Sequence, residues 1–153
     1  MKEITGLPIA TKPFPLALIV ARFNEEITQA LLYEAKARLK TLTFPENFVT
    51  IVHVPGAIEI PIAALKLAKT GCYKAIVALG AVVRGETDHY KAVCESVTAG
   101  CLQVSLSQEI PVIFEVLMTD SELLAQARVN KGAVAIDCAI EMAALLEHID
   151  HLA

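Results

Sequence analysis

Four short runs of apolar residues alternate with longer, helix-like segments along this chain. The runs cover residues 16–21, 48–54, 75–83 and 112–118 and are rich in valine, isoleucine, leucine and alanine. Short apolar runs with branched side chains are typical of strands that are buried on both faces of a sheet. The segments between and after the runs predict helices at residues 25–40, 58–70, 89–107, 121–128 and 133–149.

The residues at the ends of these segments support the boundaries. Asn24 is placed to cap the first helix, and Gly71 is placed to end the second. Asparagine and glycine are favoured at these two ends for their side-chain oxygen and their free backbone, respectively. The hydroxyl and carboxylate groups of residues 119–121 offer caps for the fourth helix, and residues 130–132 are expected to interrupt the chain before the last one.

This alternation predicts one domain over residues 1–153. The expected fold class is α/β, a three-layer α/β/α sandwich with a four-stranded parallel sheet, flavodoxin-like in arrangement. In such sheets ligands bind beyond the carboxyl ends of the strands. That rule directs attention to four loops, at residues 22–24, 55–59, 84–89 and from 119 onward.

Composition restricts the class of protein. Hydrophobic residues make up 55% of the chain, which suits covered parallel strands and leaves apolar surface for partner subunits. The apolar stretches, such as residues 75–83, are far shorter than the ~20 residues of a membrane-spanning helix. Residues 1–15 do not have the pattern of a secretory signal. The expectation is a soluble, cytoplasmic protein without a membrane partner.

Charge and cysteine spacing exclude other classes. The net charge is −4 and no basic run is present, so a nucleic-acid partner is not expected. The four cysteines have no Cys-x-x-Cys spacing, and we expect buried free thiols. No metal site is expected. His148 and His151 are spaced as a possible metal pair, but a favourable charge at a helix C-terminus is the alternative. His53, inside an apolar strand, is interpreted as a core or interface histidine.

The segment Arg84-Gly85-Glu86-Thr87-Asp88-His89 combines a glycine, a hydroxyl and a predicted helix N-terminus. Backbone N–H groups at such a place can hold a phosphate. Residues 80–87 also fit the spacing of a nucleotide-binding P-loop. Glu86 occupies the position of the P-loop lysine, however, and its carboxylate would repel a triphosphate.

Each candidate side chain has a functional and a structural interpretation. His89 can transfer protons near a bound anion or cap the preceding loop. Phe23 can stack on a flat heterocycle or simply pack. Glu59 can accept hydrogen bonds from a polyhydroxyl chain or favour its helix dipole. Arg128 and Lys131 can bind phosphate or be ordinary solvated charges near a helix end.

Several spaced motifs together resemble the lumazine synthase family over nearly the whole chain. They are Ala21-Arg22-Phe23-Asn24, Val54-Pro55-Gly56-Ala57-Ile58-Glu59-Ile60-Pro61, Gly80-Ala81-Val82-Val83-Arg84-Gly85-Glu86-Thr87-Asp88-His89-Tyr90, Asn130-Lys131-Gly132 and Ala139-Ile140-Glu141-Met142. Their number and order make the resemblance specific. It implies a condensation of 5-amino-6-(D-ribitylamino)uracil with 3,4-dihydroxy-2-butanone 4-phosphate to give 6,7-dimethyl-8-ribityllumazine, the penultimate step of riboflavin biosynthesis.

The resemblance implies two adjoining substrate pockets. In the pyrimidine pocket Phe23 stacks on the ring and Glu59 accepts bonds from ribityl hydroxyls. The remaining residues expected there are Asn24, Gly56, Ala57, Ile58, Ala81, Val82 and Val83. In the phosphate pocket, main-chain N–H groups of Gly85 and Glu86 and the Thr87 hydroxyl bind the ketose phosphate. The catalytic residues implied are His89, for proton transfer, and Arg128, for the phosphate.

The resemblance also implies an assembly. Its members need no cofactor and form pentamers, sometimes paired or built into hollow shells, with active sites between subunits. Phe114 and Lys131 match residues that a neighbouring subunit lends to the site. Two alternatives share parts of this pattern: an archaeal-type riboflavin synthase, and a non-catalytic flavin- or lumazine-binding shell protein. The phosphate loop argues against the first, and His89 with Arg128 argues against the second.

Three features depart from the family pattern. Glu115 follows Phe114 where a glycine is usual, and Met118 stands where a threonine is usual. The segment from Arg128 to Lys131 is a few residues shorter than in familiar members. These departures bear on the pocket edge, on the match of Arg128 and on the size of the assembly.

Overall fold

The computed structural model describes residues 1–9 and 12–152. Four strands alternate with helices in chain order. The strands are β1 (Leu16–Ala21), β2 (Val49–Val54), β3 (Ala75–Val83) and β4 (Val112–Thr119). The helices are α1 (Glu25–Thr41), α2 (Ile60–Lys69), α3 (His89–Gln108), α4 (Glu122–Gln126) and α5 (Lys131–Asp150), with short 3-10 turns at Glu46–Phe48 and Ala57–Glu59.

The strands form one parallel sheet in the order β2-β1-β3-β4. Ala21 at the end of β1 pairs with Val54 of β2, and Val83 at the end of β3 pairs with Thr119 of β4. Helices cover both faces, which confirms the predicted flavodoxin-like three-layer sandwich. Because β1 connects toward one edge of the sheet and β3 toward the other, the winding direction reverses between these two strands. This reversal opens a crevice at their carboxyl ends, where ligands bind in open α/β sheets.

Alternate residues of the strands belong to two hydrophobic cores, one on each face of the sheet. Leu16, Leu18 and Val20 of β1 face α1 and α5, whereas Ala17 and Ile19 face α2 and α3. The six residues of β1 are almost wholly inaccessible to solvent. A central strand buried on both faces explains the continuous apolar runs of the sequence.

Helices α1 and α5 approach each other at backbone distance. Gly132 is buried, and a Cβ there would overlap the carbonyl oxygen of Leu31 in α1. Farther along the same contact, Arg38 Nε donates to Asp137 Oδ1 at 2.7 Å. Only glycine permits this approach, so the first turn of α5 is fixed against α1.

Several predicted boundaries were wrong by a few residues. Phe48 lies in a 3-10 turn before β2, and α4 ends at Gln126 rather than near Arg128. Lys131 and Gly132 do not interrupt the helix, because they form the first turn of α5. The close contact of Gly132 with α1 provides the packing that turns this apparent break into helix. Gly71, with φ of 68°, lies just beyond the end of α2, as predicted.

Two predictions about burial were also wrong. Among the four free cysteines only Cys101 is buried, whereas Cys72 and Cys138 are exposed and Cys94 is intermediate. His53 is exposed and does not belong to the core, because it lies on β2, an edge strand with a neighbour on one side only. Its interpretation as an interface histidine stays a prediction.

The C-terminal histidines make local contacts. His148 Nδ1 lies 2.9 Å from the carbonyl oxygen of Thr5, and His151 Nδ1 lies 2.6 Å from that of Glu147. These contacts tie the N-terminal segment and the last helical turn to α5. Within residues 1–9 and 12–152, no helix is long and apolar enough to cross a membrane.

The Gly132 contact predicts a specific loss of stability. Gly132→Ala should lower the free energy of unfolding by about 1–3 kcal/mol, because the new methyl group forces α5 away from α1. Chemical denaturation of the variant measures this loss.

Gly85→Ala is the matched control, since a Cβ at Gly85 meets nothing within 4 Å. A Gly132 variant as stable as the Gly85 variant would contradict the role assigned to this contact.

Candidate functional site

The loops after β1 and β2 lie side by side. The ladder of the sheet continues past the strands, with Arg22 N–H donating to the carbonyl oxygen of Val54 at 2.8 Å and Phe23 N–H to that of Pro55 at 2.9 Å. This brings Phe23 next to Gly56, where a Cβ would lie 3.8 Å from the Phe23 Cβ. The Phe23 side chain is 72% exposed. An aromatic ring is thus held at the sheet edge with room for a flat molecule on it.

Asn24 connects this loop to β3. Its side-chain Nδ2 donates to the carbonyl oxygen of Ala81 at 2.8 Å. Asn24 is the N-cap residue of α1, as predicted, but φ of 61° and ψ of 48° place it in the left-handed region and no side-chain cap bond forms. Asparagine tolerates this conformation better than most residues, and its amide bridges the crevice between β1 and β3.

Glu59 completes the group at this end of the crevice. Its N–H donates to the Gly56 carbonyl oxygen at 3.3 Å within the 3-10 turn, and Oε2 would lie 3.1 Å from a Cβ on Gly56. Ala57 is buried and Ile58 is 47% exposed. The structure therefore brings Phe23, Gly56 and Glu59 together. A ring surface and a half-buried carboxylate can contact the two ends of one polar, ring-bearing molecule.

The loop after β3 leads into the start of helix α3. Val82 and Val83 are half-buried and pair with Met118 and Thr119, while Gly85, Glu86 and Thr87 are exposed. His89 is the first residue of α3, and its N–H donates to Thr87 Oγ1 at 3.3 Å. Free N–H groups at a helix start attract anions, and the exposed imidazole of His89 stands directly beside them.

Arg84 is a residue of this edge to which the sequence interpretation assigned no role. Its Nε donates to Asp120 Oδ1 at 2.7 Å, and its guanidinium carbon lies 4.4 Å from the centroid of the Tyr90 ring. The strand register indicates this pair, because Val83 at the end of β3 lies beside Thr119 at the end of β4. Arg84 and Asp120 are the residues that follow. Opposite charges at neighbouring strand ends predict an ion pair.

Arg128 and Lys131 are close in the sequence and are joined by one backbone hydrogen bond. Lys131 N–H donates to the Arg128 carbonyl oxygen at 3.0 Å, and Arg128 Nη1 donates to the Leu124 carbonyl oxygen at 2.8 Å. Both side chains are exposed. In the part of the chain that the structure describes, no hydrogen bond joins Arg128 to residues 85–89.

Phe114 lies away from the crevice within one chain. It pairs with Ala78 in the middle of β4, five residues before Thr119, which is roughly 16 Å along a strand. β4 is an edge strand, and Phe114 is half-buried against the core on the α2 and α3 face of the sheet. A single chain does not bring Phe114 to Phe23.

Glu115 points to the other face of β4. It is half-buried, and this burial raises the pKa of its carboxyl group while Lys131 lowers it. The extra charge that departs from the family pattern therefore lies toward α5 and Lys131, not in the crevice beside Phe23. Burial also raises the pKa of Cys138 on α5, with further contributions from Glu141 and Glu115.

The sequence was compared with those of known proteins. The profile of the 6,7-dimethyl-8-ribityllumazine synthase family matches residues 14–147. The chain belongs to this family. The matched region contains every residue of the crevice described above, from Phe23 to Lys131.

Individual relatives agree with this assignment. A 6,7-dimethyl-8-ribityllumazine synthase of Coxiella burnetii is 47% identical over 142 residues, which cover 90% of this chain and 94% of the relative. Those of Salinibacter ruber and Levilactobacillus brevis are 48% and 44% identical over 139 and 141 residues, covering 88% and 91% of this chain and 89% of each relative. The similarity to lumazine synthases therefore spans nearly the whole length of both partners.

The bridge made by Asn24 can be separated from its backbone conformation. Asn24→Gly removes the hydrogen bond to Ala81 but permits positive φ, and it should lower the free energy of unfolding by about 1 kcal/mol. Asn24→Ala should cost about 1–2 kcal/mol more, because alanine is strained in the left-handed region.

Chemical denaturation of the two variants and of the unchanged protein provides the comparison. Equal stability of all three proteins would show that neither the hydrogen bond nor the left-handed backbone matters to the fold.

Proposed function

We propose that this protein condenses 5-amino-6-(D-ribitylamino)uracil with 3,4-dihydroxy-2-butanone 4-phosphate to give 6,7-dimethyl-8-ribityllumazine, phosphate and water. The reaction is a transferase step, the penultimate one of riboflavin biosynthesis. Family membership supports the reaction. The single structural observation that carries it is the crevice between β1 and β3, which has Phe23 and Glu59 at one end and a phosphate-type helix start at the other.

The pyrimidine substrate occupies the end near β1 and β2 in this proposal. Phe23 stacks on the ring, and Asn24 lies beside it with its amide on Ala81. Glu59 accepts hydrogen bonds from the ribityl hydroxyls. The other residues that contact this substrate are Gly56, Ala57, Ile58, Ala81, Val82 and Val83. The exposed Phe23 face and the nearness of Glu59 to Gly56 support this placement.

The ketose phosphate occupies the end near α3. N–H groups of Gly85 and Glu86 and the hydroxyl of Thr87 hold the phosphate, with Arg128 supplying a second, charge-assisted contact. The Thr87 hydroxyl oxygen already accepts a bond from His89 N–H, and its own proton is free to be donated to an anion. A phosphate bound in this way lies within reach of His89 in the proposal.

His89 moves protons in the proposed mechanism. The amino group of the pyrimidine attacks the ketone, and loss of water gives an imine. Removal of the proton from the neighbouring hydroxyl-bearing carbon then expels phosphate, which leaves with the electron pair of its carbon–oxygen bond. The enol left behind takes up a proton at its terminal carbon and becomes a methyl ketone. Attack of the ribityl-bearing nitrogen on this new carbonyl closes the ring with loss of a second water. Holding both substrates side by side supplies most of the rate increase.

The assembly is a homo-oligomer built from pentamers, with the site completed between subunits and Phe114 and Lys131 lent by the neighbour. The position of Phe114 on the edge strand β4, distant from Phe23 of the same chain, supports this. So do large apolar residues exposed on α2 and α3, with Ile62 at 56%, Leu102 at 58% and Leu106 at 71%. Apolar surface of this kind is typical of protein contacts. The protein acts in the cytoplasm and needs no cofactor.

The direct test combines purified protein with both substrates and follows the absorbance of the lumazine product. Sedimentation of the same sample measures the size of the assembly. Product formed from the two substrates supports the proposal. Consumption of added lumazine in the absence of ketose phosphate would instead indicate a riboflavin synthase, and binding without turnover a non-catalytic protein.

Replacing His89 tests proton transfer. His89→Ala should lower kcat by about 10²–10⁴-fold, the range typical of a lost general acid–base group. The affinity for the pyrimidine should stay close to its original value, because His89 lies at the other end of the crevice. Steady-state kinetics and equilibrium binding of the pyrimidine check both parts.

His151→Ala removes an exposed histidine far from the crevice and serves as the control. Unchanged turnover of the His89 variant would remove His89 from the mechanism.

Replacing Arg128 tests the second phosphate contact. Arg128→Ala should raise KM for the ketose phosphate by roughly 10–100-fold, as expected for one charge-assisted hydrogen bond. KM for the pyrimidine should change little. Kinetics with each substrate varied in turn measure the difference.

Lys69→Ala, on the exposed last turn of α2, is the charge-matched control. An equal loss of affinity for both substrates would indicate a structural role for Arg128.

A further inference from the structure

The loop of residues 85–89, which binds the phosphate in the proposed function, is held by the two residues that flank it. Residues 85–89 are all exposed to solvent, so little packing orders them. Arg84 precedes the loop and Tyr90 follows it, and the Arg84 guanidinium carbon lies 4.4 Å from the Tyr90 ring centroid. A cation over an aromatic face is an attractive contact, and here it joins the end of β3 to the start of α3.

The same guanidinium is fixed to β4. Arg84 Nε donates to Asp120 Oδ1 at 2.7 Å, and Arg84 N–H donates to the Thr119 carbonyl oxygen at 2.9 Å. The main chain of Arg84 is therefore bound to Thr119 and its side chain to the next residue, Asp120. The hydrogen bond to Asp120 also raises the pKa of Arg84.

An isolated surface ion pair contributes little to stability. The arrangement around Arg84 differs because two contacts act on one side chain, each limiting the rotamers left to the other, while a third contact holds the main chain of the same residue. The planar guanidinium suits this use, since it can stack on a ring with its face while it donates hydrogen bonds from its edge. The consequence is a defined distance between the two ends of the five-residue loop.

We propose that Arg84 is a positioning residue that clamps the loop of residues 85–89 for its anion. It holds the loop N–H groups and His89 in place through Tyr90 and Asp120. It does not bind the phosphate itself, because Asp120 neutralises its charge and Tyr90 covers one face. The inference rests on the proposed function for the identity of the anion as the ketose phosphate.

Three variants test the clamp by kinetics: Arg84→Ala, Asp120→Ala and the double variant. Each single change should raise KM for the ketose phosphate by about tenfold or more, because small misplacement of positioning groups is costly. KM for the pyrimidine should stay within about twofold. The double variant should be no worse than the poorer single variant, as expected for residues that act as one unit.

Lys91→Ala is the control, because it removes another cation and its exposed pair with Glu95 on the same helix. It should leave both KM values unchanged.

Three kinetic outcomes would overturn the inference. If Asp120→Ala leaves the phosphate affinity unchanged or tightens it while Arg84→Ala weakens it, Arg84 binds the phosphate directly. If both substrates lose affinity equally, the contact supports the whole fold. If the two losses add fully in the double variant, the residues act independently.

Hydrogen exchange provides a readout that does not depend on activity. The amides of His89 and Ala92, which donate to Thr87 Oγ1 and to the Asp88 carbonyl oxygen, should exchange at least about tenfold faster in Arg84→Ala and in Asp120→Ala, since exchange reports local opening. Peptides from β1 and α5 should exchange as before. Unchanged exchange of these amides at the end of the loop would refute the clamp.

This readout separates the two claims. A wild-type protein without turnover on the two substrates rejects the proposed function, and the clamp is then judged by loop exchange alone.

Discussion

The structure depends on the reversal of chain winding between β1 and β3. Two neighbouring parallel strands whose connections depart in opposite directions leave a crevice that no crossover helix fills. Beyond the last backbone hydrogen bonds between β1 and β3, no main-chain contact would join the two sides of this crevice. The Asn24 amide, donating to the Ala81 carbonyl oxygen, supplies that link and fixes the width of the crevice. The chemistry of the molecule is arranged around this one bridge.

Each strand end contributes a different kind of group to the crevice. The end of β1 supplies an aromatic face, the end of β2 a carboxylate on a tight turn, and the end of β3 a helix start with an imidazole. The end of β4 supplies Asp120, whose partner is Arg84 rather than a substrate. Parallel strands make this division possible, because all their carboxyl ends lie on one edge of the sheet. Rigid strands position the groups, and short loops vary their chemistry.

The sequence was sufficient for the fold because its apolar runs are short and continuous, and their alternation with helices permits few topologies. It also predicted that Phe23, Gly56 and Glu59 come together, since the strand-end rule needs only element order. It could not predict the left-handed backbone of Asn24, which depends on the distance to Ala81. Nor could it show that Gly132 belongs to a helix, because the reason lies in α1, about a hundred residues earlier. Long-range packing decided these positions, whereas local propensity was misleading.

Arg128, which follows α4, and Lys131, the first residue of α5, have backbones that are held in place. The Arg128 side chain is bonded to Leu124 in α4, and one backbone bond joins Arg128 to Lys131. Gly132 lets α5 pack directly against Leu31. Because both ends of the connection between α4 and α5 are held, its backbone is not free to move toward an anion. Any adjustment falls to side-chain torsions, and freezing such a long cationic side chain sacrifices about 2 kcal/mol of rotamer entropy. Binding of an anion by Arg128 and Lys131 would therefore select side-chain rotamers and would not move the loop.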